Sequence, residues 1–332
     1  MPKRALILGG GGPVGIAWES GLLAGFAEGG VNLEHADLIV GTSAGSFVGA
    51  QIALGKAPAA LATAIIAEDA PIQKAGSSPT QRSGPAPDLT TLIAKMGEAV
   101  SGKRPGQEVR AEIGRWALEA RTISEEAFLA GFGRSFNELP DDLWPDRDYA
   151  CTAVDALSGE FVVWKRDSGV GVKRAVASSC SVPGVFPPIT IKGRRYVDGG
   201  MRSPTNADLA KGCDIAVVVA VTGAAANPAM ADQFRKILDK EIATIRDSGT
   251  RVELIVPDSA SIKAFGINLM DPRHRPGAAK AGLAQGSEAA SALKPFWTWA
   301  TLRFLWLPQA TNERSVDQSF RTAMGSTPAQ TT

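Results

Sequence analysis

Short apolar runs and segments of helical spacing alternate along the first part of this chain. Residues 4–8 form an apolar run that is closed by four glycines, which predicts a buried strand. Residues 16–28 then place apolar side chains at helical spacing, residues 37–40 form a second apolar run, and residues 44–54 predict a helix of small residues. A strand–helix–strand–helix start is typical of an α/β protein with a mostly parallel sheet.

Residues 70–131 depart from this alternation. Serine- and proline-rich stretches come first, and helical stretches follow them. One of these stretches lines a single helix face with Val109, Ile113, Trp116 and Ala120. This composition predicts a helical insertion, and the sequence leaves open whether the insertion covers a site as a lid.

The strand pattern returns after the insertion and completes the predicted sheet. Residues 149–156 and 160–164 are predicted as two strands of a hairpin, and residues 189–197 as a second strand pair around Lys192-Gly193. Further strands are predicted at residues 215–221 and 251–257. Residues 215–221 are almost wholly apolar and β-branched, as expected of a central parallel strand. A long helix with an apolar stripe is predicted to open at Asn227 and to be capped by Gly249. We therefore predict a three-layer α/β sandwich with a central, mostly parallel sheet.

The predicted domain organisation is one folded unit over residues 1–290 and a C-terminal segment over residues 291–332. Within this segment, residues 296–307 hold three of the seven tryptophans. Tryptophan-rich segments favour membrane interfaces, but they also form helices whose aromatic side chains close a core. The sequence leaves both interpretations open. The end of the segment loses periodicity and is expected to be frayed.

Composition narrows the possible functions. Hydrophobic residues make up 44% of the chain and the net charge is +1, so no basic surface for nucleic acid is indicated. The three cysteines are widely spaced and form no CxxC pair, so we expect reduced thiols and no metal site. With no apolar run of signal or membrane-spanning type, we expect a cytoplasmic protein, at most peripheral to a membrane, that needs no cofactor. The oligomeric state is not indicated.

The first of three glycine motifs lies between the first strand and the first helix. Gly10, Gly12 and Gly15 match GxGxxG, the fingerprint of dinucleotide-binding proteins. Glycines at this place let backbone amides surround a negative charge at a helix N-terminus. That charge is either a pyrophosphate or the oxyanion of an acyl-transfer intermediate. The motif alone therefore leaves open a dinucleotide-binding oxidoreductase and an acyl hydrolase.

The second motif, Gly41-Thr42-Ser43-Ala44-Gly45, favours the hydrolase. It is a GxSxG sequence between a predicted strand and a predicted helix, which is the context of a nucleophile elbow. The sharp turn exposes the Ser43 hydroxyl, and the flanking Gly41 and Gly45 are needed because side chains there would collide with strand or helix. The start of the following helix favours negative charge near Ser43.

A serine nucleophile needs a base within hydrogen-bond reach, and three residues are candidates. His35 lies near the start of the strand that delivers Ser43, about 20 Å away at 3.3 Å per residue. His274 lies among arginines and prolines, as in an exposed loop, but a nucleophile–acid–histidine order would suit it as the third member of a triad. Asp198, which ends a predicted strand in the motif Asp198-Gly199-Gly200, is the remaining base.

The three motifs, in this order, resemble those of the patatin-like phospholipase family. Residues 177–188 also resemble the ASxxxPxxFPP block of the family, and residues 152–160 are similar to the hairpin before it. The resemblance implies a Ser-Asp dyad without histidine, in which Ser43 attacks the ester and Asp198 takes and returns the proton. It also implies a set of oxyanion donors at Gly10, Gly11 and Gly12, and a set of supporting glycines at Gly15, Gly41, Gly45, Gly199 and Gly200.

The implied function is a serine acyl hydrolase that cleaves lipid or fatty-acyl esters through an acyl-enzyme. For this chemistry Asp198 needs partial burial, which would raise its pKa towards the working pH. One position departs from the family, because Val14 stands where Lys or Arg is usual. The missing positive charge argues against a phospholipid head group in the substrate more than it argues against ester hydrolysis. A catalytically silent lipid-binding relative stays an alternative.

Overall fold

A mixed eight-stranded sheet organises the chain, and we describe it from a computed structural model. The structure describes residues 2–69, 91–92, 94–95, 104–132, 135–136, 138–221 and 228–305. The strands are β1 (Arg4–Leu8), β2 (Leu38–Gly41), β3 (Tyr149–Asp155), β4 (Phe161–Trp164), β5 (Ile189–Ile191), β6 (Arg194–Asp198), β7 (Ile215–Val219) and β8 (Arg251–Ile255). The helices are α1 (Gly12–Glu28), α2 (Ala44–Ala53), α3 (Pro58–Ile66), α4 (Gly106–Glu119), α5 (Glu125–Phe132), α6 (Val172–Ser179), α7 (Pro228–Asp247), α8 (Ser259–Phe265) and α9 (Arg275–Leu305).

The sheet is parallel at its centre and antiparallel at one side. Its order is β5-β6-β3-β2-β1-β7-β8, and β4 pairs with β3 beside this path. The five strands from β3 to β8 in that order run parallel, whereas β4, β5 and β6 form antiparallel pairs. The two predicted hairpins are present, as β3–β4 and β5–β6. The predicted α/β class is therefore confirmed.

Helices cover both faces of the sheet, and alternate residues of β1 belong to the two cores. Leu6 and Leu8 are buried together with residues of α1, α2, α6 and α9. Ala5 and Ile7 are buried on the other face with Leu238, Ile242 and Ile245 of α7. Side chains of a strand alternate between faces, so each residue of β1 contributes to one layer. The apolar stripe that was predicted for this long helix is therefore the face of α7 that packs on the sheet.

α1 and α9 pack through glycines, so that their backbones lie close together. A Cβ atom added to Gly21 or Gly25 of α1 would collide with the backbone of α9, and one added to Gly282 or Gly286 of α9 would collide with that of α1. No helix was predicted over residues 275–295. Because α9 is rich in small residues, its sequence has little amphipathic pattern, and a helix is not recognisable from periodicity alone. The predicted domain boundary at residue 290 falls inside α9.

The predicted helical insertion is described in part. Residues 70–90, 93 and 96–103 lie outside the described residues, and α4 and α5 form the remainder. Val109 and Ile113 are buried, as their predicted helix face requires. The ring of Trp116 fills the space where Gly184 lacks a side chain. The insertion thereby packs against the segment 177–188.

The C-terminal aromatic segment packs against the body where the structure describes its side chains. Trp297 is buried and its indole Nε1–H donates to the carbonyl oxygen of Asn32 over 3.2 Å. Arg251 lies over the ring of Phe296. Trp297 therefore belongs to the core, and the partly buried Phe296 packs against it. The predicted frayed tail, residues 306–332, lies outside the described residues.

Three further observations concern the described residues. No helix among them combines the length and the hydropathy that crossing a bilayer requires. The three cysteines are free thiols, and all of them are buried. No group of three or more acidic, histidine or cysteine side chains within the described ranges is arranged as a metal site.

Candidate active site

Ser43 lies in a sharp turn between β2 and α2. Its backbone has φ 52° and ψ −115°, a left-handed conformation that costs about 1–3 kcal/mol in a non-glycine residue and is concentrated at functional sites. A Cβ atom at Gly41 would collide with the backbone of α2, and one at Gly45 would collide with Leu8 of β1. Both flanking glycines are thus required by close approach, for the reason that the GxSxG pattern predicted.

The residues at the end of α6 hold this turn. The backbone N–H of Ser43 donates to Ser179 Oγ over 3.0 Å. The carbonyl oxygen of Ser43 accepts hydrogen bonds from the Cys180 thiol over 3.1 Å and from the Ser46 hydroxyl over 2.6 Å. Ser179 and Cys180 belong to the segment 177–188, which therefore supports the turn directly as well as packing the core.

Asp198 ends β6 and its side chain is almost completely buried. Its Oδ1 accepts a hydrogen bond of 2.7 Å from the backbone N–H of Gly200. Burial raises the pKa of Asp198 to about 7, and contacts with the Ser43 hydroxyl and the Gly200 amide moderate the rise. Oδ2 has no hydrogen-bond partner of full geometry among the described residues. The Ser43 hydroxyl therefore lies near the carboxyl group without a fully formed bond to it.

The register of the sheet places Ser43 and Asp198 at the same edge. β3 lies between β2 and β6, and it pairs Cys151 with Gly41 on one side and Ala153 with Asp198 on the other. Ser43 follows Gly41 by two residues, so it reaches the height of Ala153. The two side chains consequently approach each other across the end of β3.

The glycine loop lies directly beside the turn. The backbone N–H of Gly10 donates to the carbonyl of Pro204 over 2.7 Å, so this predicted oxyanion donor is already engaged. The N–H groups of Gly11 and Gly12 make no hydrogen bond to a described residue. A Cβ atom at Gly10 would lie 3.3 Å from the Ser43 Cβ, which shows how close the loop is to the serine. Two of the three predicted donors thus remain free.

A further free amide belongs to Ala44, which follows the serine. Ala44 is the first residue of α2, and the first amides of a helix have no partner within it. No hydrogen bond from this amide to the described residues is present. The N-terminal end of α2 therefore points a free N–H and the positive end of its dipole towards the position of Ser43.

The two histidines stay away from this arrangement. His35 is exposed in a 3₁₀ turn before β2, at the opposite edge of the sheet from Ser43. The Nε2 atom of His274 lies 4.0 Å from Asp271 Oδ2, and its side chain is 41% exposed. In the described part of the chain neither histidine is hydrogen-bonded to Ser43 or Asp198.

Comparison with known protein families places this geometry in context. The profile of the family described as "Patatin-like phospholipase" matches residues 6–211, which include Ser43, Asp198 and the glycine loop. The chain belongs to the patatin-like phospholipase family. A search of solved structures finds similarity to VipD from Legionella pneumophila, at 14% identity and a TM-score of 0.43, covering 88% of this chain and 67% of that chain.

Family membership implies lipid acyl hydrolase activity. It favours the oxyanion interpretation of the glycine loop over the dinucleotide interpretation. Val14, which stands where patatin-like proteins usually carry Lys or Arg, is fully buried, and its N–H donates to the carbonyl of Leu269 over 3.2 Å. This position therefore belongs to the core of the protein and presents no charge to a substrate.

A second buried carboxyl group near the patatin-like site was not predicted. Glu19 on α1 is fully buried, and burial raises its pKa well above the ordinary value. Neither of its carboxyl oxygens has a hydrogen-bond partner among the described residues. The sequence signal for it is a single glutamate inside an apolar helix, Ala17-Trp18-Glu19-Ser20-Gly21, which gives no indication of its surroundings.

Proposed function

We propose that this chain hydrolyses ester bonds of lipids with Ser43 as nucleophile and Asp198 as general base. The observation that supports this proposal most is the approach of a buried carboxyl group to a serine in a strained turn. Serine is a weak nucleophile until a base accepts its proton. A base acts best when its pKa lies near the working pH, and that of Asp198 is about 7.

In the first half of the reaction, Asp198 accepts the Ser43 proton while Ser43 Oγ bonds to the acyl carbon. The resulting oxyanion would bind the free amides of Gly11, Gly12 and Ala44. A single donor of this kind typically contributes about 3 kcal/mol to the transition state. The bond to the alcohol oxygen then breaks, and Asp198 returns the proton to that oxygen. This leaves the acyl group on Ser43.

In the second half, water replaces the alcohol. Asp198 accepts a proton from the water molecule as its oxygen bonds to the acyl carbon. The bond between that carbon and Ser43 Oγ breaks, the proton returns to Ser43, and the fatty acid leaves. The same carboxyl group serves both halves, so no histidine is needed. Because the deprotonated form is the base, the rate should rise with pH through about 7.

A catalytically silent lipid-binding relative is the second candidate. It would keep the fold but would not turn over an ester. This candidate is supported by the Asp198 Oδ2 atom, which has no hydrogen bond of full geometry to a described residue. Catalytic hydrogen bonds are often longer before substrate binds, so the missing bond at Asp198 Oδ2 is compatible with the hydrolase and with the silent relative.

The test combines turnover with covalent labelling. A p-nitrophenyl ester series of increasing chain length is hydrolysed by the wild type, by Ser43→Ala and by Asp198→Asn, and each protein is also treated with a fluorophosphonate. Ser287→Ala on α9, which removes an exposed hydroxyl, is the matched control. We expect turnover and labelling in the wild type and in the control only. Wild-type protein that neither labels nor turns over would favour the silent relative.

A further inference from the structure

Ser43 and Asp198 are held by strands that do not touch each other. β3 separates β2 from β6, so no ladder of hydrogen bonds fixes the distance between the two side chains. Misplacement of reacting groups by about 1 Å can lower a rate about 100-fold. A dyad on two separate strands therefore needs a connection above the end of β3.

The side chain of Asn206 makes this connection. Its Nδ2 group donates to Thr42 Oγ1 over 3.0 Å and lies 3.3 Å from the carbonyl oxygen of Gly199. Thr42 is the residue before Ser43, and Gly199 is the residue after Asp198. Asn206 is fully buried, and so is Thr42. One amide group thus contacts the neighbours of both members of the proposed dyad.

Thr152 of β3 completes the connection between the strands. Its hydroxyl lies 2.9 Å from that of Thr42 and 3.4 Å from Asn206 Nδ2. A Cβ atom at Gly199 would collide with Thr152, so the loop after Asp198 lies directly on β3. The three strand ends therefore meet in one buried group of hydrogen bonds that centres on Asn206.

The rest of the loop orients Asn206 itself. The residue has φ 50° and ψ 40°, a left-handed conformation that asparagine tolerates better than most residues. Its Oδ1 accepts a 2.8 Å hydrogen bond from Arg202, which also pairs with Asp208. Its Nδ2 donates to the carbonyl of Ser203 over 2.8 Å. These contacts leave the amide one orientation, with the nitrogen towards Thr42 and Gly199.

We propose that Asn206 is a positioning residue of the hydrolase, whose side-chain amide sets the distance between Ser43 and Asp198 by binding the residue next to each. The inference rests on the proposed function of the dyad. Asn206 does not reach the substrate in this role. It acts through the backbones of the two residues that do.

Two pairs of variants test this role. Asn206→Gly removes the amide and suits the left-handed backbone, and Thr42→Val removes the acceptor hydroxyl while keeping the shape. Thr42→Ser restores the hydroxyl. Thr250→Val is the control, because Thr250, directly before β8, is buried and donates one 2.7 Å hydrogen bond to the carbonyl oxygen of Cys213. The readouts are kcat and KM for a monomeric p-nitrophenyl ester, the pH profile, and the urea midpoint of unfolding.

We expect Asn206→Gly and Thr42→Val to lower kcat by about 10- to 100-fold with little change in KM. Because the Ser43 hydroxyl lowers the pKa of Asp198, a loosened dyad should also move the rise of the pH profile to higher pH. Thr42→Ser should recover most of the activity. Thr250→Val should lower the unfolding midpoint by a similar amount but change kcat by no more than about twofold.

The inference is overturned if Asn206→Gly lowers kcat no more than Thr250→Val, or if Thr42→Ser is as impaired as Thr42→Val. A loss confined to the unfolding midpoint would likewise assign Asn206 a structural role alone. Failure of the proposed function would look different: the wild type would show no turnover that Ser43→Ala abolishes. That outcome would also remove the reaction in which Asn206 is given a role.

Discussion

Two buried carboxyl groups lie near the glycine loop, and they differ in their place in the fold and in their contacts. Asp198 ends a strand, accepts a hydrogen bond from Gly200 and lies near the Ser43 hydroxyl. Glu19 lies inside α1, and its oxygens have no hydrogen-bond partner among the described residues. Burial is the largest cause of the raised pKa in both groups. A raised pKa therefore does not distinguish a base from a buried acid.

Position distinguishes the two groups. A base has to reach the proton of the nucleophile, and only Asp198 approaches Ser43. The amide of Gly200 also moderates the pKa of Asp198 to about 7, so that a useful fraction is deprotonated near neutral pH. Glu19 has one moderating contact, an approach of the Gly9 backbone that falls short of a full hydrogen bond, and its pKa stays well above the ordinary value.

The largest expected difference between the two carboxyl groups is in turnover. Asp198→Asn should lower kcat by roughly 1,000-fold or more, as loss of a member of a catalytic unit does in other serine hydrolases. Glu19→Gln, which keeps shape and neutrality, should lower it by less than about tenfold. Steady-state hydrolysis of a soluble ester measures both. Equal losses would mean that Glu19 also takes part in the reaction.

The next difference is in stability as a function of pH. A carboxyl group whose pKa is higher in the folded chain favours folding while protonated, and this contribution is lost as pH rises through the folded pKa. The pKa of Asp198 is 3.8 in the unfolded chain and about 7 in the folded chain. From pH 5 to pH 8 the free energy of unfolding of the wild type should therefore fall by about 2–3 kcal/mol relative to that of Asp198→Asn. Urea unfolding at the two pH values measures this.

Glu19→Gln should show a stability effect of the same sign, because burial also raises the pKa of Glu19. The pKa of Glu19 is raised well above the ordinary value. Between the unfolded and the folded pKa, the free energy of unfolding of the wild type should fall by about 1.4 kcal/mol per pH unit, whereas that of the variant should not. Unfolding free energies that are parallel in the two proteins from pH 5 to pH 9 would show that Glu19 is not buried as an acid.

A smaller effect concerns the pH profile of the reaction. The wild-type kcat/KM should rise with an apparent pKa of about 7, and Glu19→Gln should leave this value within about half a unit. The measurement is the rate of a neutral ester from pH 5 to pH 9. A rate that has already reached its plateau at pH 5, as the ordinary pKa of an exposed aspartate would give, would contradict the burial of Asp198.

The smallest expected effect is that of His274→Ala. His274 is partly exposed and makes its nearest ionic contact with Asp271, so kcat should change by no more than about twofold. The same ester assay checks this. A loss comparable to that of Asp198→Asn would establish a triad and would contradict the dyad.

Much of the fold could be predicted because it depends on local pattern. Strands such as β1 and β7 are short apolar runs, and Gly41 and Gly45 mark the turn whose close contacts require them. Tertiary contacts decided what the pattern could not show. Nothing local indicates that Pro204 accepts the amide hydrogen of Gly10, or that the backbone of Asn206 is left-handed. α9 was missed because its small residues give it little amphipathic pattern.

The glycine contact between α1 and α9 has a consequence for the order of folding. α1 cannot bury its glycine face until α9, about 250 residues later in the chain, has been synthesised. Such long-range contacts slow folding, and during synthesis they leave the earlier helix exposed to solvent and to chaperones. The region that matches the family profile ends at residue 211, so that stretch alone lacks the surface on which α1 rests. The free amides at the start of α1 are therefore held in place by a segment that is synthesised about 250 residues after them.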